Sequence, residues 1–273
     1  MNPDASTRLY ALIGHPASHS LGPVMHNAAF RALGCNAVYL AFDTQDPAGV
    51  MAGVRAMGIR GISVTVPHKT SIFPFLNRVD ETARRIGAVN TVLNQNGFLT
   101  GFNTDATGFL AALRTRVEPE GQRALVVGAG GVARAVGFAL NRAGARVILA
   151  NRSRERGEHL ARTLACPFVP LSDAPDVEAD ILIQATSVGM AGGPEGLPVS
   201  EHTLRKGMIV METVYRPART PILLEARSKG CVILSGLEMF FMQGAEQIRI
   251  WTGLEPPLHV MRHAVFQELQ RNP

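Results

Sequence analysis

Apolar runs of strand length alternate with segments of helical periodicity along the first sixty residues. Three runs are typical of strands: RLYALIG, AVYLAF and IRGISVTVP. The segments between them, GPVMHNAAFRALG and PAGVMAGVRAMG, have a proline in the first turn and end at a glycine, as helices often do. Strands separated by helices of this length indicate βαβ units with parallel pairing.

Two further patterns complete this region. RVDETARRIG predicts a helix, and AVNTVLNQNGFLTGFNTD predicts two strands joined by an Asn-Gly turn. A helix over about residues 106–116 and the polar stretch VEPEGQ then separate this region from the next.

The next region opens on a single continuous pattern, RALVVGAGGVARAVGFALNRAGARVILANRS. Its order of strand, glycine turn, helix and strand, over about 30 residues, is typical of a dinucleotide-binding βαβ unit. Three later apolar runs continue the sheet: ADILIQAT, GMIVMET and CVILSG. The last two segments, GLEMFFMQGAEQIRIWTG and PLHVMRHAVFQELQ, have helical periodicity.

These elements predict an α/β fold of two domains. We expect an N-terminal α/β substrate domain over residues 1–105 and a Rossmann dinucleotide-binding domain over residues 106–236. Two crossings between the domains would return the C-terminal helices, residues 237–273, to the first domain.

Composition narrows the kind of partner. A hydrophobic content of 46% with 18% charged residues is typical of a globular protein, and a net charge of +5 favours an anionic ligand. The basic residues are scattered and aromatic residues make up 6%, which disfavours nucleic acid. We therefore expect a small-molecule substrate.

The cysteines and the hydrophobic runs bear on location. The three cysteines are far apart and outside any CxxC spacing, so neither a disulfide framework nor a zinc ribbon is predicted. No run approaches the roughly 18 apolar residues of a membrane span. We expect a cytoplasmic protein, monomer or homodimer, with no membrane partner and no metal.

The turn GAGGVA, residues 128–133, follows an apolar strand and opens a helix. Gly128 permits the tight turn, Gly130 lets a pyrophosphate approach the backbone, and Ala133 allows close packing of helix on strand. Free N–H groups at the helix start would meet the negative charge. The predicted cofactor contacts here are Gly128, Ala129, Gly130, Gly131 and Val132; the alternative is a glycine turn with a structural role alone.

The end of the next strand distinguishes between NAD and NADP. An NAD site normally places an acid there, whereas this chain has Asn151, Arg152 and Ser153, followed by Arg154 and Arg156. A guanidinium binds a 2′-phosphate that an acid would repel, so NADP is predicted. The alternative is a solvated arginine-rich helix start without a ligand.

Polar residues follow three strands of the first domain. The SVTVPHK segment carries Ser63, Thr65 and Lys69, AVNT carries Asn90 and Thr91, and GFNTD carries Asn103, Thr104 and Asp105. Ligands of open α/β sheets bind at strand ends, and a lysine beside an aspartate can move a proton. On position alone, a structural alternative has equal weight. In it, Lys69 is a solvated loop lysine and Asp105 is the N-cap of the helix that begins at residue 106.

The histidine-rich segment GHPASHSLGPVMHN opens the first helix. A metal site needs three or four ligands, and no acidic residue or cysteine accompanies these histidines. We expect His15, His19 and His26 to orient the turn. Ser20 and the helix start at Pro23 offer a cradle for an anion, which at this point is the alternative to a histidine-based catalytic site.

Nine motifs in order resemble those of the shikimate/quinate dehydrogenase family, nearly from end to end. They are GHPASHSLGPVMHNAAF, SVTVPHK, IGAVNT, GFNTD, VVGAGGVARA, NRSRER, ATSVGM, VYRP and GLEMFFMQGAEQ. The resemblance implies NADPH-dependent reduction of 3-dehydroshikimate to shikimate, on the route to chorismate and the aromatic amino acids. A quinate/shikimate dehydrogenase with relaxed substrate use and a non-catalytic ligand sensor of the same fold are the alternatives.

The resemblance also implies roles for individual residues. It makes Lys69 and Asp105 the proton-shuttling pair. Ser20 and Tyr215 would bind the substrate carboxylate, and Thr65, Asn90 and Gln243 its ring hydroxyls. Residues 128–132 and 151–156 would hold NADP, with Thr186, Thr213 and Gly236 along the nicotinamide side.

Four positions depart from the family pattern. Gly22 stands where the family's SxS motif has its second serine, so one carboxylate-binding hydroxyl is missing, and the extra space favours the additional hydroxyl of quinate. Ser63 stands where many members have Asn, Phe102 where many have Asp, and Gln184 where Asn is usual.

Overall fold

The computed structural model describes residues 3–271, which fall into two compact units. The second unit is Asp105–Phe240, and the described residues on either side of it form the first unit. The chain thus leaves the first unit after Thr104 and returns to it at Phe241.

The first unit is built on a six-stranded mixed sheet in the order β2-β1-β3-β5-β6-β4. Its strands are β1 (Arg8–Gly14), β2 (Ala37–Asp43), β3 (Gly61–Val64), β4 (Arg78–Val79), β5 (Thr91–Gln95) and β6 (Phe98–Phe102). Its helices before the crossing are α1 (Gly22–Ala32), α2 (Pro47–Ala56) and α3 (Glu81–Ile86).

Parallel and antiparallel pairings meet within this sheet. β1 pairs in parallel with β2 and β3, as the βαβ pattern predicts. β5 then runs antiparallel to both β3 and β6. The predicted turn joins β5 and β6 at Asn96 and Gly97, whose φ angles of 55° and 88° are the left-handed pair that such a tight hairpin requires.

The second unit holds a six-stranded parallel sheet in the order β12-β11-β10-β7-β8-β9. Its strands are β7 (Arg123–Val127), β8 (Arg146–Asn151), β9 (Phe168–Pro170), β10 (Ile181–Gln184), β11 (Ile209–Glu212) and β12 (Val232–Leu234). Its helices are α4 (Thr104–Leu113, beginning one residue before the boundary), α5 (Gly131–Arg142), α6 (Arg154–Leu164) and α7 (Pro221–Ser228).

Two C-terminal helices bring the chain back to the first unit. They are α8 (Gly236–Thr252) and α9 (Leu258–Arg271). Trp251 of α8 lies against Gly61 of β3 so closely that any side chain at 61 would overlap the indole, and its Nε1 donates to the Val92 carbonyl at 3.0 Å. α8 is therefore fixed on the sheet by a buried aromatic contact.

The sequence patterns did not indicate the short edge strands. β4 has two residues and β9 three, too few for a periodic signal. Of the helices in residues 3–271, none is both long and apolar enough to cross a membrane.

Candidate active site

Polar residues from three segments meet at one edge of the first unit's sheet. Thr65 follows β3, Thr104 follows β6 and Asn90 immediately precedes β5. β3 and β6 bring their carboxyl ends to this edge, whereas β5 brings its amino end because it runs antiparallel to both. The antiparallel strand thus contributes a residue from its beginning to a group otherwise drawn from strand ends.

Asn90 is at the centre of this group and is 3% exposed. Its Oδ1 accepts the backbone N–H of Thr104 at 2.7 Å and the hydroxyl of Thr91 at 2.9 Å, and its Nδ2 donates to Thr104 Oγ1 at 2.9 Å. Gln243 of α8 places its Oε1 3.5 Å from the same Thr104 hydroxyl. A buried amide bonded at both ends is held in one orientation.

Lys69 is buried in the loop that follows β3, with 9% exposure. The backbone N–H of Val89 donates to its carbonyl at 2.8 Å, which fixes this loop beside the segment leading to Asn90. The solvated-lysine alternative is therefore wrong. A lysine is seldom buried to this extent unless its charge is compensated.

Asp105 is also buried, with 5% exposure, in the first turn of α4. The helix begins at Thr104, whose N–H is already satisfied by Asn90 Oδ1. The expectation of Asp105 as an N-cap is therefore wrong, because an N-cap precedes its helix.

The loop before α1 forms a narrow space around Gly22. Ser20 Oγ accepts the Gly22 N–H at 3.1 Å. A Cβ on Gly22 would lie 3.1 Å from Ser20 Oγ and 3.3 Å from Cε1 of Tyr39, closer than most real contacts. A side chain at position 22 would therefore be in tight contact with both Ser20 and the ring of Tyr39. Leu21, at the N-cap, offers no side-chain acceptor to the helix start.

The three histidines have different positions. His26 is buried in α1, places its Nδ1 3.0 Å from the Gly22 carbonyl and stacks on Tyr39 with ring centroids 4.3 Å apart. Burial lowers the pKa of His26 to about 4, so the ring is neutral at pH 7. His15 pairs with Asp43, and His19 is exposed. Within residues 3–271 no cluster of three or more His, Cys, Asp or Glu side chains has the arrangement to hold a metal.

The glycine turn of the second unit has the geometry of a backbone cradle. Gly128 has a φ of 123°, and a Cβ there would lie 2.6 Å from the Ala185 carbonyl oxygen, so glycine is required. Gly130 precedes α5 and provides no side-chain cap, and a Cβ on it would have no atom within 4 Å. The N–H groups of Gly131 and Val132 therefore begin a helix on an open side of the turn. Ala129 lies between the two glycines and is half-buried.

The residues after β8 are mostly exposed. Asn151 Nδ2 donates to the Ser153 carbonyl at 2.8 Å, and Ser153 caps α6 by accepting the Arg156 N–H. Arg152 and Arg156 have exposed side chains, and Arg154 forms an ion pair with Glu158 at 3.1 Å. Three cations thus extend from this strand end into solvent, one of them already paired.

The loop after β10 is organised by Gln184. This side chain is fully buried and its Oε1 accepts both the N–H of Thr186, at 3.0 Å, and the Thr186 hydroxyl, at 2.9 Å. Its Nε2 donates to the Val188 carbonyl at 3.0 Å. The glutamine found in place of the usual asparagine therefore ties the loop to its own strand.

The loop after β11 carries Thr213 and Tyr215. The Tyr215 ring stacks on Phe240, with centroids 4.4 Å apart. Gly236, at the start of α8, lies against the backbone of Val214 so closely that a Cβ there would overlap its carbonyl. Close backbone packing by itself requires glycine at 236.

Glu212 ends β11 and has no exposed surface. Its Oε1 accepts the N–H groups of Thr213 and Val214, at 2.7 and 2.8 Å, and its Oε2 accepts the Thr220 hydroxyl at 2.8 Å. Burial raises the pKa of Glu212 to about 7, against the opposing effect of these three donors. This carboxyl holds the loop that carries Tyr215.

Sequence reasoning missed Tyr39, Glu212 and Gln247. Tyr39 and Glu212 lie within predicted strands, where a single residue carries no signal of its role. Gln247 follows Gln243 by one helical turn on α8. Its polar amide interrupts the apolar face of this helix, and that interruption was the signal in the sequence that could have pointed to it.

Three family models match this chain. The shikimate dehydrogenase substrate-binding domain matches residues 12–92, the shikimate/quinate 5-dehydrogenase model residues 111–190, and the shikimate 5′-dehydrogenase C-terminal domain residues 236–266.

Relatives and solved structures agree over nearly the full length. The NADP+ shikimate dehydrogenase of Moorella thermoacetica is 49% identical over 94% of this chain and 92% of its own. A shikimate dehydrogenase crystallised with NADP+ has a TM-score of 0.92 at 39% identity, over 98% of each chain. The Thermus thermophilus enzyme in complex with NADP(H) and shikimate has a TM-score of 0.88 at 41% identity, over 96% of this chain and 99% of its own.

These findings confirm the predicted fold class, an α/β protein with a substrate-binding domain and a Rossmann domain. They also confirm the resemblance on which the residue roles were predicted. With three family models and a relative at 49% identity, the chain belongs to the shikimate dehydrogenase family.

Proposed function

We propose that this protein catalyses the reversible, NADP-dependent interconversion of shikimate and 3-dehydroshikimate, an oxidoreductase reaction on a secondary alcohol. The observation that carries the proposal is the likeness, over nearly the whole chain, to enzymes named for this activity. The buried Lys69 and Asp105 fit it, because a ligand sensor needs no group that moves a proton.

The cofactor-binding residues fit NADP. The turn from Gly128 to Val132 presents backbone N–H groups to a pyrophosphate, and no acidic residue stands at the end of β8 to repel a 2′-phosphate. Arg152 and Arg156, with Asn151 and Ser153, would bind that phosphate. When bound, NADPH supplies the hydride for reduction. Thr186, Thr213 and Gly236 would line the nicotinamide side.

The substrate alcohol gains or loses a proton as the hydride moves. We assign this proton to Lys69 and Asp105, which would act together at the reacting hydroxyl. Burial removes both groups from bulk water, which favours a defined proton path over exchange with solvent.

The remaining contacts hold the substrate. The cradle of Ser20 and the α1 start, together with Tyr215, would bind the carboxylate. Thr65, Asn90 and Gln243 would bind the ring hydroxyls. Asn90 is already ordered by Thr91 and Thr104, which supports a pre-organised site.

A panel of four assays tests the proposal. Shikimate and quinate are each offered with NADP+ and with NAD+, and the formation of reduced cofactor is followed at 340 nm. We expect the highest kcat/KM with shikimate and NADP+. Activity with quinate and NAD+ alone would contradict the proposal, and equal use of both acids would establish the relaxed alternative.

The biological setting belongs to the same proposal. We place this biosynthetic enzyme of small acids in the cytoplasm, as a monomer or a homodimer. Sedimentation equilibrium distinguishes the two oligomeric states. Either assembly is compatible with the catalytic roles above.

A further inference from the structure

A line of side-chain hydrogen bonds crosses the first unit beneath the polar edge of its sheet. Its central member is Gln247 of α8, which is 1% exposed. Gln247 Nε2 donates to Thr91 Oγ1 at 3.0 Å, and its Oε1 accepts the hydroxyl of Ser63 at 2.9 Å. Ser63 in turn accepts the phenol hydroxyl of Tyr39 at 2.7 Å.

The direction of every bond in this line follows from one backbone N–H. The Thr104 N–H can only donate, so the atom of Asn90 that it meets is the carbonyl oxygen. The Thr91 hydroxyl must then donate to that oxygen and accept from Gln247 Nε2. This fixes the amide of Gln247.

The remaining bonds are then determined as well. With Gln247 Oε1 as the acceptor, the single hydrogen of Ser63 is committed to it. Tyr39 must therefore donate to Ser63. The side chains form one polarised sequence from Tyr39, which lines the space beside Gly22, to Asn90.

The side chains of Ser63 and Gln247 meet within this line. Ser63 stands where many family members have the longer Asn, and its short side chain is met by the long side chain of Gln247. The helix adds a second link, because Gln243 lies one turn before Gln247 on α8 and approaches Thr104. Gln247 thus reaches the amide of Asn90 through the hydroxyl of Thr91, and it lies on the same helix as Gln243.

We propose that Gln247 is a positioning residue for substrate recognition, which connects the carboxylate cradle near Gly22 with the ring-hydroxyl contacts at Asn90 and Gln243. It does not touch the substrate. The proposal rests on the proposed function, because the groups that it orders are those assigned to the substrate.

The test replaces Gln247 in the full-length protein. Gln247→Met keeps the length of the side chain and removes the hydrogen bonds to Thr91 and Ser63, and Gln247→Glu keeps the acceptor for Ser63 and removes the amide donor to Thr91. We expect either change to raise KM for shikimate about tenfold, the effect of one well-made hydrogen bond, with KM for NADP+ changed less than about twofold.

Asn94 supplies a matched control. It is also a buried amide of the first unit, 4% exposed, but its Nδ2 donates to the carbonyls of Val54 and Ile59 and its Oδ1 accepts the Gly97 N–H. Asn94→Asp should lower the melting temperature as the Gln247 variants do, and leave KM for shikimate unchanged.

The outcomes separate the two proposals. A wild-type protein without shikimate activity overturns the proposed function and this inference together. An active wild type whose Gln247 variants match Asn94→Asp, with lower stability and an unchanged KM, overturns the inference alone. If Gln247→Met and Gln247→Glu fail to fold, Ser63→Ala removes the neighbouring hydrogen bond instead. We expect this variant to raise KM for shikimate about threefold. An unchanged KM in Ser63→Ala would overturn the inference as well.

Discussion

The polar edge of the first unit and the glycine turn of the second unit are built in opposite ways. At the edge, buried side chains such as Asn90, Thr91 and Gln247 bond to one another. At the turn, the space beside Gly130 is open, and the arginines that follow β8 are exposed. A buried network of side chains favours a ligand of one shape. Backbone N–H groups suit a pyrophosphate, a group that cofactors of many proteins contain.

The difference has a consequence for mutation. A change at the polar edge disturbs several partners at once, because each side chain there satisfies another. A change among the exposed arginines removes one contact and leaves the rest. The four predictions below use this contrast, from the largest expected effect to the smallest.

Lys69→Ala tests the polar edge at its most sensitive point. We expect kcat for shikimate oxidation to fall by roughly 10²–10⁴-fold, with a smaller change in KM, because the lysine acts on a proton that moves in the transition state. Steady-state kinetics with circular dichroism as a folding control measure this. An unchanged kcat would remove Lys69 from the chemistry.

Glu212→Gln tests whether the stability of the protein depends on a buried carboxyl group in the second unit. With the pKa of Glu212 raised to about 7, the folded protein binds a proton that the unfolded chain releases near pH 4.5. The wild-type free energy of unfolding should therefore fall, relative to that of the variant, as pH rises from 4.5 to 7, by at most about 3 kcal/mol. Above pH 7 the difference should stay constant.

Urea denaturation of both proteins at several pH values provides the measurement. Glu212→Gln keeps an acceptor for the N–H groups of Thr213 and Val214, so the loop should survive the change. A difference between the two proteins that is independent of pH would show that the carboxyl has its ordinary pKa.

Arg152→Ala tests the exposed contacts of the second unit. We expect KM for NADP+ to rise by roughly tenfold while KM for NAD+ stays nearly unchanged, since only NADP+ carries the 2′-phosphate. Arg162→Ala is the matched control, because this exposed arginine lies in the last turn of the same helix, away from the end of β8. Equal losses for both cofactors in Arg152→Ala would contradict the phosphate contact.

Gly22→Ser restores the family's serine and tests how full the cradle is. The new Cβ would meet Ser20 and Tyr39 at 3.1–3.4 Å, so the tyrosine has to move by a few tenths of an ångström. We expect a loss of stability of about 1 kcal/mol, measured by thermal denaturation. A gain in stability would indicate that the space beside Gly22 is open after all.

Local patterns predicted much of the second unit. The glycine turn, the helix after it and the strand before it are close in sequence, and each residue type there has a local reason. Gly128 is needed for its positive φ, and Ser153 caps the helix that it precedes. Such features are visible without knowing any distant contact.

The first unit was harder to predict because its site depends on distant pairings. Lys69 and Asp105 had equally weighted alternatives on position alone, and only burial and the start of α4 at Thr104 removed them. Gln247 lies 156 residues from Thr91, its hydrogen-bond partner. No periodicity or spacing carries that information.

The sequence by itself determined the α/β fold class, the family and the glycine turn, because these follow from local periodicity, backbone freedom and motif order. The tertiary structure decided that β5 runs antiparallel, which brings Asn90 to the edge where β3 and β6 end. It also decided that Tyr39 lies against Gly22 and that α8 brings Gln247 to Thr91. Hydrogen bonds between buried side chains are made by residues that only folding brings within 3 Å of each other.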